Sequence, residues 1–516
     1  MKEVFANFMA AKIVNPSFPE VDHDLRFLLD HHPAAYGVDR TAGTNAIRQP
    51  LGNLDDAGQM YGAIIYDKAP IVMRQLEALT GEATFRDGLR EYLDTYAFGN
   101  ATWLDLVAIL DARVPVDLAA WSRAWVESRG RPEFRVERTA DGGLVLEQTD
   151  PLAQGRLWPQ RFGLLVGGPD GPMTGEVEVA SPRTDLPAGP VGVGDLDWVL
   201  PNSDGRGYGL FALDEASLAW LLDHVEALPT ALARGSAWVT LWENLLEGRV
   251  AADRLVEAAL RVLPAEPDEQ NVQRILGYAT AAFWRHLPEA TRPARAMALE
   301  AAFRAGLARA ETASQKAAWF GAFRDVVLTP DGLAWLERVW RREEAIDGLP
   351  LAEPDEMAMA FELAVREVDG WEEILDTQLA RIENPDRRDR FAFVMPALSA
   401  DPAGREAAFA RLAEVENRRR EAWVVESLGW LHHPLRAGHA VRFIEPALAM
   451  LPEIQRTGDI FFPTNWTGAT LGGHRSAEAA AVVREFLARE LQFPQRLRWT
   501  VLVAADGLFR AAQRAG

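Results

Sequence analysis

Met60-Tyr61-Gly62-Ala63-Ile64-Ile65-Tyr66-Asp67-Lys68-Ala69-Pro70 is the stretch on which the fold of this chain turns. Ala63, Ile64 and Ile65 are apolar, and Ile71, Val72 and Leu76 continue an apolar face at helical spacing. The spacing predicts a helix over 58–79, closed by Thr80-Gly81, because glycine readily takes the left-handed conformation that ends helices. Tyr66 lies inside the pattern, with the charged pair Asp67-Lys68 directly after it. A tyrosine hydroxyl in such a place can donate a hydrogen bond to a developing oxyanion. The plainer account is a half-buried aromatic with a satisfied hydroxyl, and on this stretch alone the plainer account is preferred.

Outward from this stretch, residues 1–132 read as helical. Phe5, Phe8, Met9 and Ile13 form one apolar face, ended by Asn15-Pro16. Asp22 to Asp30 is a second, short helix, and Asp30-His31-His32 before Pro33 reads as a turn. Tyr36 to Leu54 is polar and turn-rich and reads as a loop. Helices follow over 83–96, 103–112 and 118–128.

Glu3-Val4-Phe5-Ala6, followed later by Tyr66-Asp67-Lys68-Ala69, resembles the zinc aminopeptidases of the aminopeptidase N and leukotriene hydrolase family. These are gluzincin metallopeptidases with H-E-x-x-H on one helix, a third zinc ligand in N-E-G-F-A, and a catalytic tyrosine in Y-x-K-G-A. Further matches are His32-Pro33, the run from Glu82 to Leu89, Tyr92-Leu93, Gly99-Asn100-Ala101-Thr102 with Asp105-Leu106, and Trp125 before Gly130-Arg131-Pro132. The resemblance covers residues 1–132 and continues more weakly beyond. It implies that Glu3 matches the third zinc ligand and Tyr66 the catalytic tyrosine. It also implies the helical half of a thermolysin-like catalytic domain over 1–132.

The departures are equally specific. No H-E-x-x-H is present: none of His23, His31, His32, His224, His286, His432, His433, His439 and His474 begins that pattern. The family's G-x-M-E-N motif for the substrate amine is also missing. Lys2 stands for the usual asparagine, Val4 for glycine, and Ala69 for the glycine after the lysine. The resemblance places both missing motifs upstream of Met1, so the chain corresponds to the C-terminal part of such an enzyme. A catalytic zinc site needs about three protein ligands, so the chain alone is not expected to hold the ion.

Composition bounds the alternatives. Hydrophobic content of 48% and charged content of 25% suit a globular protein of two to four domains. A net charge of −21 argues against nucleic acid or an anionic membrane as partner, and is compatible with peptides carrying a cationic free N-terminus. Without cysteine there is no disulfide framework and no thiolate metal site. No apolar run is long enough to span a membrane. The start shows no basic region followed by an apolar core, and a cytoplasmic location is the expectation.

From residue 133 the period changes. Phe134-Arg135-Val136-Glu137-Arg138 alternates, Asp141-Gly142-Gly143 turns, and Leu144-Val145-Leu146-Glu147-Gln148 returns as a hairpin. With 162–166, 175–179 and 197–200 as further strands, 133–212 reads as a small β-sandwich. From 213 to 516 helix follows helix, with Thr329-Pro330, Asn384-Pro385 and Asp401-Pro402 as capped starts. Successive amphipathic helices of this kind suggest a HEAT- or armadillo-like α-solenoid. Trp238 and Trp242 are core positions rather than ligand contacts. His432-His433 with His439 has no common metal spacing and reads as surface or loop. Asn417 to Arg420 reads as a solvated helix face, and Phe461-Phe462-Pro463-Thr464-Asn465-Trp466 as a loop with exposed aromatics.

The expected fold is therefore mainly α with a small β domain. The expected function is a zinc aminopeptidase removing N-terminal residues from peptides, with Glu3 as metal ligand, Tyr66 as catalytic residue, and the N-terminal half supplied in cis or in trans. The rivals are a non-catalytic peptidase remnant serving as an α-solenoid binding scaffold, and the C-terminal half of a split enzyme.

Overall fold

Apolar spacing in the first 132 residues is realised as helices, several of them started by side-chain caps. A computed structural model describes residues 2–49, 61–140, 143–168, 171–186 and 196–514, with the side chains of Lys2 and Glu3 outside the described residues. The helices are α1 (Lys2–Val14), α2 (His23–Asp39), α3 (Ala69–Thr80), α4 (Glu82–Thr95), α5 (Trp103–Asp111) and α6 (Leu118–Trp125). Asp22 caps α2 by accepting from the Leu25 N–H at 2.9 Å. Thr102 and Asp105 exchange hydrogen bonds in a capping box at the start of α5. Gly81, at φ +82°, both ends α3 and opens α4. Trp121 and Trp125 on α6 are buried, and both indole N–H groups donate to the Pro159 carbonyl, at 3.2 and 3.1 Å.

Three local expectations are corrected here. The α2 helix does not stop before Pro33; it runs through the proline to Asp39, so neither the turn at Asp30–His32 nor a loop beginning at Tyr36 forms. Leu25, Phe27, Leu28, Leu29, His32, Ala35 and Tyr36 are all buried along it. That burial outweighs the hydrogen bond a mid-helix proline forgoes, a cost of about 3 kcal/mol. The apolar face of α1 is also split: Phe8 is buried and Phe5 half-buried, but Met9 and Ile13 are exposed. Finally, the helix expected over 58–79 is not uniform. Residues 50–60 lie outside the described residues, and Ile64–Lys68 forms a π turn ahead of α3.

Residues 133–212 supply the strands β1 (Glu133–Arg138), β2 (Leu144–Thr149), β3 (Gln160–Gly168), β4 (Gly171–Val179), β5 (Arg183–Asp185), β6 (Trp198–Pro201) and β7 (Leu210–Ala212). They form a sheet of order β5-β2-β1-β7 and a sheet of order β4-β3-β6. The expected hairpin is present, with Val136 opposite Leu146. Phe162 of the second sheet meets Phe134 and Phe211 of the first, at ring separations of 5.9 and 5.2 Å. Gly167 pairs with Trp198, whose indole occupies the space a Cβ would need. Helices α7 (Glu215–His224) and α8 (Ala231–Leu246) complete a first compact unit, Met1–Val250.

The second compact unit, Ala251–Gly516, is helical throughout its described residues. Its first helices are α9 (Ala252–Val262), α10 (Glu269–Arg285), α11 (Arg292–Arg309), α12 (Ala313–Val326) and α13 (Pro330–Trp340). Then come α14 (Glu353–Val365), α15 (Trp371–Arg381), α16 (Pro385–Val394), α17 (Pro402–Ala413) and α18 (Glu421–Leu431). Last are α19 (Ala437–Ala449), α20 (Leu451–Thr457), α21 (Phe462–Leu471), α22 (Ala477–Arg489) and α23 (Gln495–Arg514). Helix α9 packs with α10, α11 with α12, α13 with α14, α14 with α15 and α22 with α23, as do α10 with α12 and α21 with α23. Thr329, Asn384 and Asp401 cap their helices through Gly332, Arg387 and Ala403 N–H groups.

Here too the structure corrects the sequence. Phe462 to Trp466 is not a loop but the start of α21, with Pro463 in its first turn and Trp466 fully buried, its indole N–H donating to the Ala447 carbonyl at 3.0 Å. Arg418 does not face solvent. It is buried in a short 3₁₀ turn and donates to the Leu412 and Ala413 carbonyls, satisfying the end of α17. His432 is fully buried at the end of α18, with its Nδ1 2.8 Å from Nε2 of His474. No helix among the described residues is long and apolar enough to cross a membrane.

Candidate active site

The π turn stands just ahead of a proline. Pro70 carries no N–H, so the helix cannot make the usual bond back to residue 66. The Ala69 N–H donates to the Ile64 carbonyl, five residues back, where an α-helix would use Ile65. The Tyr66 N–H keeps an ordinary helical bond, to Gly62 at 3.0 Å. Tyr66 is half-buried, and its ring stacks on that of Tyr61 at 6.0 Å. Its two neighbours face different surroundings. Asp67 Oδ1 lies 2.9 Å from Nδ1 of His31 on α2, both side chains being partly exposed. Lys68 is wholly buried: its Nζ lies 2.8 Å from Oδ2 of Asp39 and donates to the Gly130 carbonyl at 2.8 Å.

Asp39, the last residue of α2, is the hub of this interior. Its Oδ1 accepts from Thr44 Oγ1 at 2.6 Å and from the Gly130 N–H at 3.1 Å. Its Oδ2 accepts from Tyr208 Oη at 3.0 Å as well as from Lys68. Burial pushes the Tyr208 phenol well above the usual tyrosine range, and the Asp39 carboxylate adds to the shift. Tyr208 is therefore a neutral donor. Beside it, Arg131 stacks on Tyr36 and donates to Glu243 at 2.6 Å; Arg40 meets the other oxygen of Glu243 at 2.9 Å. Burial alone lowers the affinity of Arg131 for its proton, but Glu243 more than offsets this and the net shift is upward. Buried charges persist only when paired and hydrogen-bonded, and here the pairing ties α2, the π turn, the 130–131 segment, the loop before β7, and α8 together.

Glu3 stands in the first turn of α1; its side chain lies outside the described residues. The two elements that carry Glu3 and Tyr66 do meet, since α1 packs against the π turn and against α3. Between α1, the π turn, α3 and α5 is a cavity of about 290 Å³, lined by Val4, Arg48, Ile65, Met73 and Trp103 among others. Among the described residues no group of three or more His, Cys, Asp or Glu could hold a metal ion. His32, matched to the family's His-Pro pair, is not poised for metal or proton transfer. Burial pushes it down to about 3, and its Nε2–H donates to the Gly207 carbonyl at 3.1 Å.

Sequence reasoning singled out Tyr66 but missed its support. Lys68 stood in view as a lysine inside an apolar helical pattern, a local inconsistency that signals a buried partner. Asp39, Gly130 and Tyr208 gave no such signal, because they lie on segments far apart in the chain.

Residues 1–125 match the peptidase family M1 domain. The aminopeptidase N of Streptomyces lividans is 30% identical over 347 residues, covering 63% of this chain and 40% of that protein. The puromycin-sensitive aminopeptidase of Caenorhabditis elegans is 28% identical over 274 residues, 50% of this chain and 28% of the relative. The leucyl aminopeptidase of Saccharolobus solfataricus is 29% identical over 136 residues, 26% and 17% of the respective lengths. The chain thus spans 40% or less of the length of each of these relatives.

Proposed function

The chain belongs, through residues 1–125, to the M1 family of aminopeptidases, and on that premise we propose that it forms the C-terminal part of a zinc-dependent aminopeptidase acting on peptides with a free N-terminus. The observation that carries this reading is Tyr66, held half-exposed on a π turn against the helix that carries Glu3. M1 aminopeptidases are zinc-dependent in general. The described residues do not make a metal site by themselves, so no step assigned to this chain runs through the ion. Glu3 is proposed as one zinc ligand; the H-E-x-x-H segment, in cis or in trans, brings the others. What this chain does in the reaction is donate a hydrogen bond from the Tyr66 hydroxyl to the oxygen that gains negative charge when the first peptide bond is attacked. The net charge of −21 favours approach of the cationic N-terminus.

The finer architecture belongs to the same proposal: 1–132 as the helical part of the catalytic domain, 133–212 as a β-sandwich, 213–516 as an α-solenoid, in a cytoplasmic protein. The test is to supply the H-E-x-x-H segment, fused or as a separate chain, and to follow zinc-dependent release of the N-terminal residue. Tyr66→Phe is expected to lower the rate by about a hundredfold to a thousandfold. A wild-type rate in that variant, or no zinc-dependent release in any combination, overturns the reading in favour of a non-catalytic scaffold.

A further inference from the structure

Tyr66 and Lys68 are two residues apart on a helical path, which puts their side chains on roughly opposite faces. Whatever holds Lys68 inward therefore holds Tyr66 outward. Lys68 has no exposed surface, and its ammonium meets Asp39 and the Gly130 carbonyl at 2.8 Å each, with the Tyr208 ring at 5.7 Å. Asp39 cannot swing to follow a displaced lysine, because Thr44, the Gly130 N–H and Tyr208 hold its two oxygens. Asp67, between the two, is tied to His31 one face away, and His31 in turn packs on Phe27 at 4.4 Å. Both anchors, His31 and Asp39, are on α2. A π turn is a rare departure from the regular helix, and here two anchors on one helix, His31 and Asp39 of α2, hold it in register.

We propose that the Lys68–Asp39 ion pair, helped by the Asp67–His31 contact, sets where the Tyr66 hydroxyl points, which makes Lys68 and Asp39 positioning residues for the reaction proposed above. The inference rests on that reading for its chemical meaning but not for its test. The test uses the full chain with all seven tyrosines labelled at 13Cζ, the Tyr66 signal being assigned by Tyr66→Phe. In Lys68→Met/Asp39→Asn, which leaves no uncompensated buried charge, the Tyr66 signal and its phenol titration midpoint shift, while Tyr278 in the second unit stays in place. Tyr208→Phe, which deletes one bond to Asp39, shifts Tyr66 in the same direction by less, and serves if the double variant does not fold. A pair that only stabilised the fold would lower the melting temperature without moving Tyr66. Wild-type Tyr66 signals in the folded double variant overturn the proposal, as do wild-type signals in Tyr208→Phe where the double variant does not fold. If Tyr66 moves in these variants yet Tyr66→Phe leaves peptidase rates unchanged, the positioning stands and the functional reading alone falls.

Discussion

Lys68 illustrates how much one residue can depend on others remote in the chain. Its ammonium is out of water, and three elements meet around it. Removing only one partner of a buried pair leaves the other charge uncompensated, at a cost of about 3–5 kcal/mol. Lys68→Met alone is therefore expected to destabilise the first unit by that amount in urea denaturation. The double change Lys68→Met/Asp39→Asn should recover most of it, and equal losses in both would contradict the account. Tyr66 differs in being half-buried, so Tyr66→Phe, which removes a single hydroxyl, should change stability by about 1 kcal/mol while it lowers the rate of the proposed reaction.

At the scale of elements, the caps were legible and the packing was not. The starts at Thr329, Asn384 and Asp401 read as caps in the sequence; Thr102 with Asp105 forms a further capping box in the structure, and Thr102→Ala is expected to cost about 1 kcal/mol, measured by thermal or urea denaturation. Gly88 carries no such signal, since nothing local marks it. A Cβ there would run into Cδ2 of Leu110, which is fully buried on α5 and must shift within a packed core to make room. Gly88→Ala should therefore destabilise by about 1–3 kcal/mol, although alanine is the better helix former. An unchanged midpoint would mean that α4 and α5 can separate cheaply. Pro33 and Pro70 mark the same divide. Proline reads locally as a helix stop, yet α2 runs through Pro33, and Pro70 sits in the first turn of α3 directly after the π turn.

At the scale of the whole molecule, buried histidines make stability depend on pH. In the second unit, burial pushes His474 down to about 4 and His433 to about 3, and places His432 well below the ordinary histidine range. The folded state thus keeps them neutral where the unfolded chain, near 6.5, takes up protons. More protons on the unfolded side means that stability rises with pH through this window. It is fully present above about pH 6.5 and lost progressively as the pH falls toward 4. Melting temperatures of the second unit, followed by hydrogen exchange at its amides, should fall steadily between pH 7 and pH 4.5. In His474→Leu the slope should be shallower. A flat profile in the unaltered chain would mean that these imidazoles reach water.

The sequence by itself determined the type of most elements. Helical spacing, β alternation, capping side chains and the hairpin at 133–149 all follow from backbone geometry and the nearest neighbours, so a local pattern encodes them. It also singled out Tyr66, because a motif is a local object. Only the tertiary structure decided that α2 continues through Pro33, that Lys68 turns inward to Asp39, Gly130 and Tyr208, and that His432 finds His474. The reason is that burying a charge or an imidazole is decided by the partners that compensate for lost water. Those partners lie on segments brought together only when the chain folds.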